Sequence, residues 1–142
     1  MHWKYNLAFI LLLALSFSFC KKEKPKEFNI SENLPGSFLS FYEKFHMDST
    51  FQMNHIIFPL EGMPSDMDST SESLNFHWSK DTWVIHTPFN DRGGSFQRSF
   101  LNIDNIILEK IFDQHRNFEM ERRFTEMQGE WYLIYYAALR KI

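Results

Sequence analysis

Beyond His2, the groups of this sequence that could do chemistry are five scattered histidines, a spread of carboxylates, a few strand-borne arginines and one cysteine. His46, His55, His77, His86 and His115 form no His-x-x-x-His pair, and none stands beside a third ligand at a metal spacing. His77, Trp78, Asp81 and His86 come closest to a cluster. Asp66-Met-Asp68-Ser-Thr70 offers the clustered oxygens that a hard cation prefers. A calcium loop nevertheless needs Gly at its sixth position and Glu at its twelfth, where this chain has Ser71 and His77. The run reads as a solvated loop, and no metal or other cofactor is expected.

A general base needs a partly buried carboxylate or imidazole with a shifted pKa. Asp48, with His46 beside it, is the candidate, although an Asp at the end of a helix also serves as a cap. Arg122 alternates onto the apolar side of its strand with Phe118, Met120 and Phe124. A buried cation there must meet a bound anion or an internal carboxylate, for which Glu109, Glu119, Glu126 and Glu130 are available. No Gly-x-Ser-x-Gly or Ser-x-x-Lys nucleophile motif occurs, and Asp91-Arg-Gly-Gly94 is a turn too short to cradle phosphate. Trp78, Trp83, Trp131, Tyr132, Tyr135 and Tyr136 line a pocket or pack a core. Asp48, Arg122, Trp83 and Tyr135 together form the candidate pocket set, with no catalytic residue assigned.

The elements that would position these groups follow from periodicity. Pro35-Gly-Ser37 punctuates the chain, with Ser37 as a helix cap. Phe38, Phe41, Tyr42 and Phe45 then fall at i, i+3, i+4 and i+7 on one helical face. Ser49 and Gln52 suggest a capping box for a second short turn. His55 to Leu60 reads as a strand, with Pro59 placing it near a sheet edge. Residues 61–73 form the main surface loop, and Leu74 to Phe89 mixes periods without a clear assignment. Phe96 to Ile103 reads as a strand, while Asp104 to His115 suits either a helix or a bulged strand. Two period-2 runs, Phe118 to Thr125 and Trp131 to Tyr136, flank Gln128-Gly129 and predict an antiparallel hairpin. The second run is apolar on both faces and should lie centrally. Helices first and a long hairpin last give an α+β domain over residues 36–142.

The start of the chain has a different character. Leu7 to Phe19 is an uncharged apolar stretch whose thirteen residues would rise about 20 Å as a helix. That is too short for a hydrocarbon core of about 30 Å and suits a signal peptide over residues 1–19. Cys20, the sole cysteine, closes the run and is followed by Lys-Lys-Glu-Lys-Pro-Lys. This resembles a bacterial lipoprotein signal, in which the cysteine becomes the acylated first residue of the mature protein. Phe19 stands where the lipobox has Gly, Ala or Ser, and Ala14-Leu-Ser16 and Ser16-Phe-Ser18 offer small-x-small cleavage sites instead. Residues 20–35 would then be the lipidated cysteine and a charged tether too poor in apolar groups to offset its ordering entropy. Without residues 1–19, the chain keeps 14 basic against 18 acidic groups in 123 residues. A net charge of −4 argues against nucleic acid as a partner, and the length suits one domain.

Phe38-x-x-Phe41-x-x-x-Phe45, Asp48-Ser-Thr-Phe-Gln52, Ile57-Phe-Pro-Leu60 and Gly129-Glu-Trp-Tyr-Leu-Ile-Tyr135 together resemble a lipoprotein family of Bacteroidota that is a domain of unknown function. The resemblance implies a nuclear transport factor 2-like (cystatin-like) fold, with helices packed into a curved antiparallel sheet to make a cone. That fold hosts isomerases, dehydratases and pure binding modules, so it implies a pocket without naming a chemistry. The sequence-level expectation is a membrane-anchored envelope protein, held through lipid on Cys20 and carrying a non-catalytic module for a small-molecule ligand or an envelope protein. The basic run Lys21 to Lys26 favours the periplasmic face. The alternatives are a small pocket enzyme using Asp48 or a histidine as base, and a structural homodimer.

Overall fold

The computed structural model describes residues 34–66 and 75–142. The expected signal segment, Cys20, the expected tether as far as residue 33, and Asp68 to Thr70 of the oxygen-rich run lie outside the described residues.

Helix α1 (Gly36–Met47) buries the face read from its periodicity, with Phe38 and Phe45 fully enclosed and Phe41 nearly so. Pro35 occupies its N-cap position, and Ser37 instead accepts a hydrogen bond from Trp131 Nε1 at 3.2 Å. Asp48 ends α1 and opens α2 (Ser49–Asn54), its carboxylate accepting from the Phe51 backbone N–H at 2.9 Å. The cap of α2 is therefore Asp48 rather than a Ser49–Gln52 box. The Gln52 side chain is released from capping and turns into the core, where it is fully buried.

Among the described residues six strands follow: β1 (Ile56–Met63), β2 (His77–Trp78), β3 (Phe96–Ile103), β4 (Ile106–Asp113), β5 (Phe118–Met127) and β6 (Glu130–Lys141). They lie in one open sheet in the order β2-β1-β6-β5-β4-β3, and the sheet is curved. The purely antiparallel expectation is corrected, because β1 runs parallel to β6 and the sheet is mixed. Nothing in the local alternation of β1 could reveal this, since its partner lies some seventy residues away and its direction is set by topology. Pro59 lies near the sheet edge, with only the two-residue β2 outside β1. It falls where the β1–β6 register shifts between Ile56 and Glu61, so its missing N–H is not needed by the ladder. The final hairpin turns at Gln128 (φ 54°) and Gly129 (φ 84°), the left-handed pair that a tight two-residue turn requires. Its second strand, β6, is covered on either side by β1 and β5.

The ambiguous stretch after Asp104 is strand β4, which pairs with β3 along eight residues and with β5 along seven. Its inward residues are Ile107, Glu109 and Ile111. The buried Glu109 breaks the apolar alternation, which is why the period was unreadable. The unassigned aromatic stretch contributes β2 and a short 3-10 turn at Lys80–Thr82, then an extended segment, residues 83–90, without regular pairing. Trp78 fastens β2 by donating its indole N–H to the Tyr136 carbonyl at 2.9 Å. A Cβ at Gly62 would collide with that carbonyl and with the indole, so the close approach requires glycine.

The segment 83–90 crosses the inner face of the sheet, and Gln52 holds it there. The Gln52 amide nitrogen donates to the Phe45 and His86 carbonyls at 2.7 and 2.9 Å. Its oxygen accepts from the His86 N–H at 2.8 Å and from Trp83 Nε1 at 3.2 Å. All four bonding positions of one buried amide are thereby filled. Gln52→Leu should strand these four partners and lower unfolding free energy by at least about 3 kcal/mol. Urea denaturation measures this directly, and an unchanged midpoint would show that the segment is held by something else.

Candidate functional site

The inner face of the sheet is built in register. Phe100 faces Glu109 from β3, Glu109 pairs with Arg122 on β5, and Arg122 pairs with Tyr136 on β6. Helix α1 covers the apolar half of this face, with Phe38 stacked edge-on against Phe100, Phe124 and Trp131. The same helix turns Tyr42 and His46 toward the polar half.

Glu109 is fully buried and Arg122 is 6% exposed, and they form an ion pair at 3.0 Å. Tyr42 donates its hydroxyl proton to the second Glu109 oxygen at 2.5 Å. Arg122 Nη1 also reaches His46 Nε2 at 3.0 Å. A guanidinium only donates, so His46 Nε2 must be the acceptor. The imidazole proton then sits on Nδ1 and is donated to the Tyr42 carbonyl at 2.8 Å. Of the four acids open to Arg122, Glu109 is the one that meets it.

These contacts fix the ionisation of the cluster. Burial and then the Arg122 charge bring the His46 pKa down to about 4. Burial, then Arg122 and His46, bring His86 down to about 2. Burial and the Glu109 charge push the Tyr42 hydroxyl well above the ordinary tyrosine range. Burial opposes the Arg122 charge, but Glu109 first, then Tyr42 and Tyr136, more than offset it and raise the guanidinium. The site is thus an ion pair among neutral donors and acceptors, with a second guanidinium, that of Arg98, at its side. Arg98 lies beside it, its guanidinium 5.7 Å from the Tyr42 ring, 5.0 Å from Phe89 and 5.2 Å from Phe100.

The four residues grouped by sequence do not all meet here. Arg122 lies at the centre. Trp83 packs its ring 5.5 Å from Tyr136 and 4.6 Å from His86. Asp48 is exposed at the α1–α2 junction, occupied as a cap. Tyr135 is on the opposite face, where the Arg123 guanidinium stands 4.2 Å over its ring. The cause is a bulge between Arg123 and Phe124 in the β5–β6 pairing, which shifts the alternation of β6 by one. Leu133 and Tyr136 therefore share the inner face, where strict alternation would give Leu133 and Tyr135. Glu109, Tyr42 and Gln52 were not in the sequence-derived set. Their one shared signal is a polar residue at an apolar position of a repeating pattern.

Next to the cluster is an open groove of about 220 Å³ bounded by Thr87, Pro88, Phe89, Phe96, Ile111, Met120 and Leu139, with Asn90 and Arg92 at its rim. Among the described residues, no three His, Cys, Asp or Glu groups are placed to hold a metal ion. No helix among them is long and apolar enough to cross a membrane.

No family model matches this chain, and no curated protein matches it. Two solved structures that it resembles are both nuclear transport factor 2-like proteins. One is from Bacteroides fragilis, with 16% identity over 76% of this chain and a TM-score of 0.47. The chain spans 49%, about half, of that protein's length. The other is from Cytophaga hutchinsonii, with 12% identity over 75% of this chain and 90% of its own, and a TM-score of 0.40.

Glu109→Leu should cost about 3–5 kcal/mol, because it leaves Arg122 buried without a counter-charge. The double variant Glu109→Leu/Arg122→Met should recover most of that loss in urea denaturation. Equal losses in the single and double variants would mean that packing rather than charge holds the site. A second expectation concerns pH. His46 and His86 titrate far lower in the folded chain than in the unfolded one, where the ordinary value is 6.5. The unfolded chain therefore binds more protons below pH 6.5, and stability falls as pH falls. The slope should reach about 1.4 kcal/mol per pH unit for each histidine. The His46 contribution ends near pH 4, where the folded group protonates. His86→Phe should reduce the slope between pH 6.5 and 5 by about half, and an unaltered slope would exclude His86 as its source.

Proposed function

We propose that this chain is a membrane-anchored lipoprotein, acylated at Cys20, whose folded domain is a non-catalytic binding module on the periplasmic face of the cell envelope. Its domain is read here as a cone of the nuclear transport factor 2-like type, with the inner face of the sheet as the binding surface. The observation that carries the binding reading is that the candidate proton acceptors of the inner face, Glu109 and His46, are already engaged. Both Glu109 oxygens and both His46 nitrogens are engaged within the cluster. A general base needs a lone pair free to take a substrate proton at the working pH. His46 and His86 are too weakly basic for that role at neutral pH. Asp48, the other base considered, is exposed and occupied as a cap. The open space beside the cluster has an apolar floor, which suits holding a ligand rather than transforming it.

The anchor and the module are tested separately. Cys20→Ser should move the protein from the membrane fraction to the soluble fraction and abolish incorporation of radiolabelled palmitate. Retention of label in the variant would rule out acylation at this cysteine. Native mass spectrometry of the protein taken from cells without refolding should show a retained small molecule. Turnover of that molecule by the purified protein would overturn the non-catalytic reading.

A further inference from the structure

Two tight turns of the sheet, Asp104-Asn105 between β3 and β4 and Gln128-Gly129 between β5 and β6, lie at one end of the domain. The first is tied to β5, since the Asn105 carbonyl accepts from the Thr125 hydroxyl at 3.1 Å and from the Glu126 N–H at 3.2 Å. The chain enters the domain at this same end. Leu34 packs against the core just before α1. Ser37, in the first turn of that helix, accepts from Trp131 at the start of β6.

The outer face of the sheet is apolar and open here, whereas α1 covers the inner face. Ile103 on β3 pairs with Ile106 on β4, and Leu101 pairs with Leu108 one step further from the turn. Leu101 and Ile103 are each 52% exposed, and Ile106 is 39% exposed. Met127, beside the second turn, is also 39% exposed. Aliphatic groups scattered singly over a surface need no explanation, but cross-strand pairs beside a turn make one contiguous patch. Paired strands hold them in place, so little ordering is lost when they are covered.

The position of chain entry indicates what covers the patch. Cys20 stands fourteen residues before Leu34, a reach of at most about 50 Å. An acyl anchor there holds the entry end nearer the bilayer than the opposite end, where β4 turns into β5 at Arg116. Strands of eight residues separate the two ends by about 25 Å. Charge then selects the kind of contact. Residues 99–109 and 124–139, which include both turns, contain no lysine or arginine, while Asp104, Glu126 and Glu130 are acidic. Arg123, beside Leu108, is paired with Glu121 at 2.6 Å. This end offers nothing to anionic headgroups, so its contact with lipid is apolar.

Resting on the lipid anchor proposed above, we infer that the turn end of the sheet, through Leu101, Ile103, Ile106 and Met127, seats on a lipid bilayer. The groove over Phe96, Ile111, Met120 and Leu139 lies toward the opposite end and faces away from that surface. The test uses protein purified from membranes with its lipid, labelled at one introduced cysteine with a nitrobenzoxadiazole fluorophore. It is reconstituted into phosphatidylcholine vesicles carrying doxyl-labelled chains. The wild type should take up no fluorophore, because acylation occupies its sole cysteine. Labelling of the wild type would overturn the anchor and this inference with it. A label at Ile103→Cys should be quenched at least threefold more than one at Arg116→Cys. Adding Ile103→Asp and Ile106→Asp to Leu101→Cys should reduce quenching at position 101 at least threefold, with an unchanged circular dichroism spectrum. With the wild type unlabelled, equal quenching at positions 103 and 116 would overturn the seating and leave the anchor standing. An unquenched label at position 103 in a protein that sediments as a dimer would do the same, by showing that a second copy covers the patch.

Discussion

The ion pair between Glu109 and Arg122 is the constraint around which the domain is arranged. Removing two charges from water costs several kcal/mol for each ion, and attraction alone repays that only when the remaining bonding positions are also filled. Tyr42 fills one on Glu109 and His46 fills one on Arg122, and both come from α1. The helix therefore cannot rotate or slide over the sheet without exposing a buried charge to an apolar neighbour. Its phenylalanine face supplies the driving force for docking, but apolar packing tolerates many rotations. The polar contacts select one of them.

A second polar device, Gln52, does for the irregular segment what the ion pair does for the helix. Residues 83–90 have no ladder of their own, and an extended chain laid across a sheet would otherwise leave its backbone groups unpaired. Gln52 takes both the N–H and the carbonyl of His86, as a neighbouring strand would. It can do so because Asp48 caps α2 and leaves the glutamine free to point inward. The order of the side chains along Asp48-Ser-Thr-Phe-Gln52 thus decides whether His86 and Trp83 reach the inner face at all.

The sequence was readable wherever one physical rule acted alone. The helical face of Phe38, Phe41, Tyr42 and Phe45, and the hairpin around Gln128-Gly129, depend on local periodicity and turn geometry. Three features depended on distant partners and were not readable. The direction of β1 is fixed by a strand at the other end of the chain. The inward turn of Tyr136 in place of Tyr135 comes from a bulge, which adds one residue to a strand without any mark in its composition. Glu109 disguised β4 because a carboxylate at a core position looks like a break in the pattern until its arginine is known. Arg122 itself could be placed inward from sequence, since its strand alternates cleanly.

Two of these features, Glu109 and the inward Tyr136, flank Arg122 on the inner face, which bears on what that place is for. A core assembled for stability alone would gain by replacing the pair with aliphatic groups of similar volume, because buried ion pairs rarely outperform hydrophobic packing. Here the pair is kept, with two neutral histidines and a second guanidinium, that of Arg98, around it. The groove over Ile111 and Met120 lies two residues further along the same two strands. The carboxylate, tyrosine and histidine fix the guanidinium rigidly, so the polar half of the inner face is already ordered before anything binds.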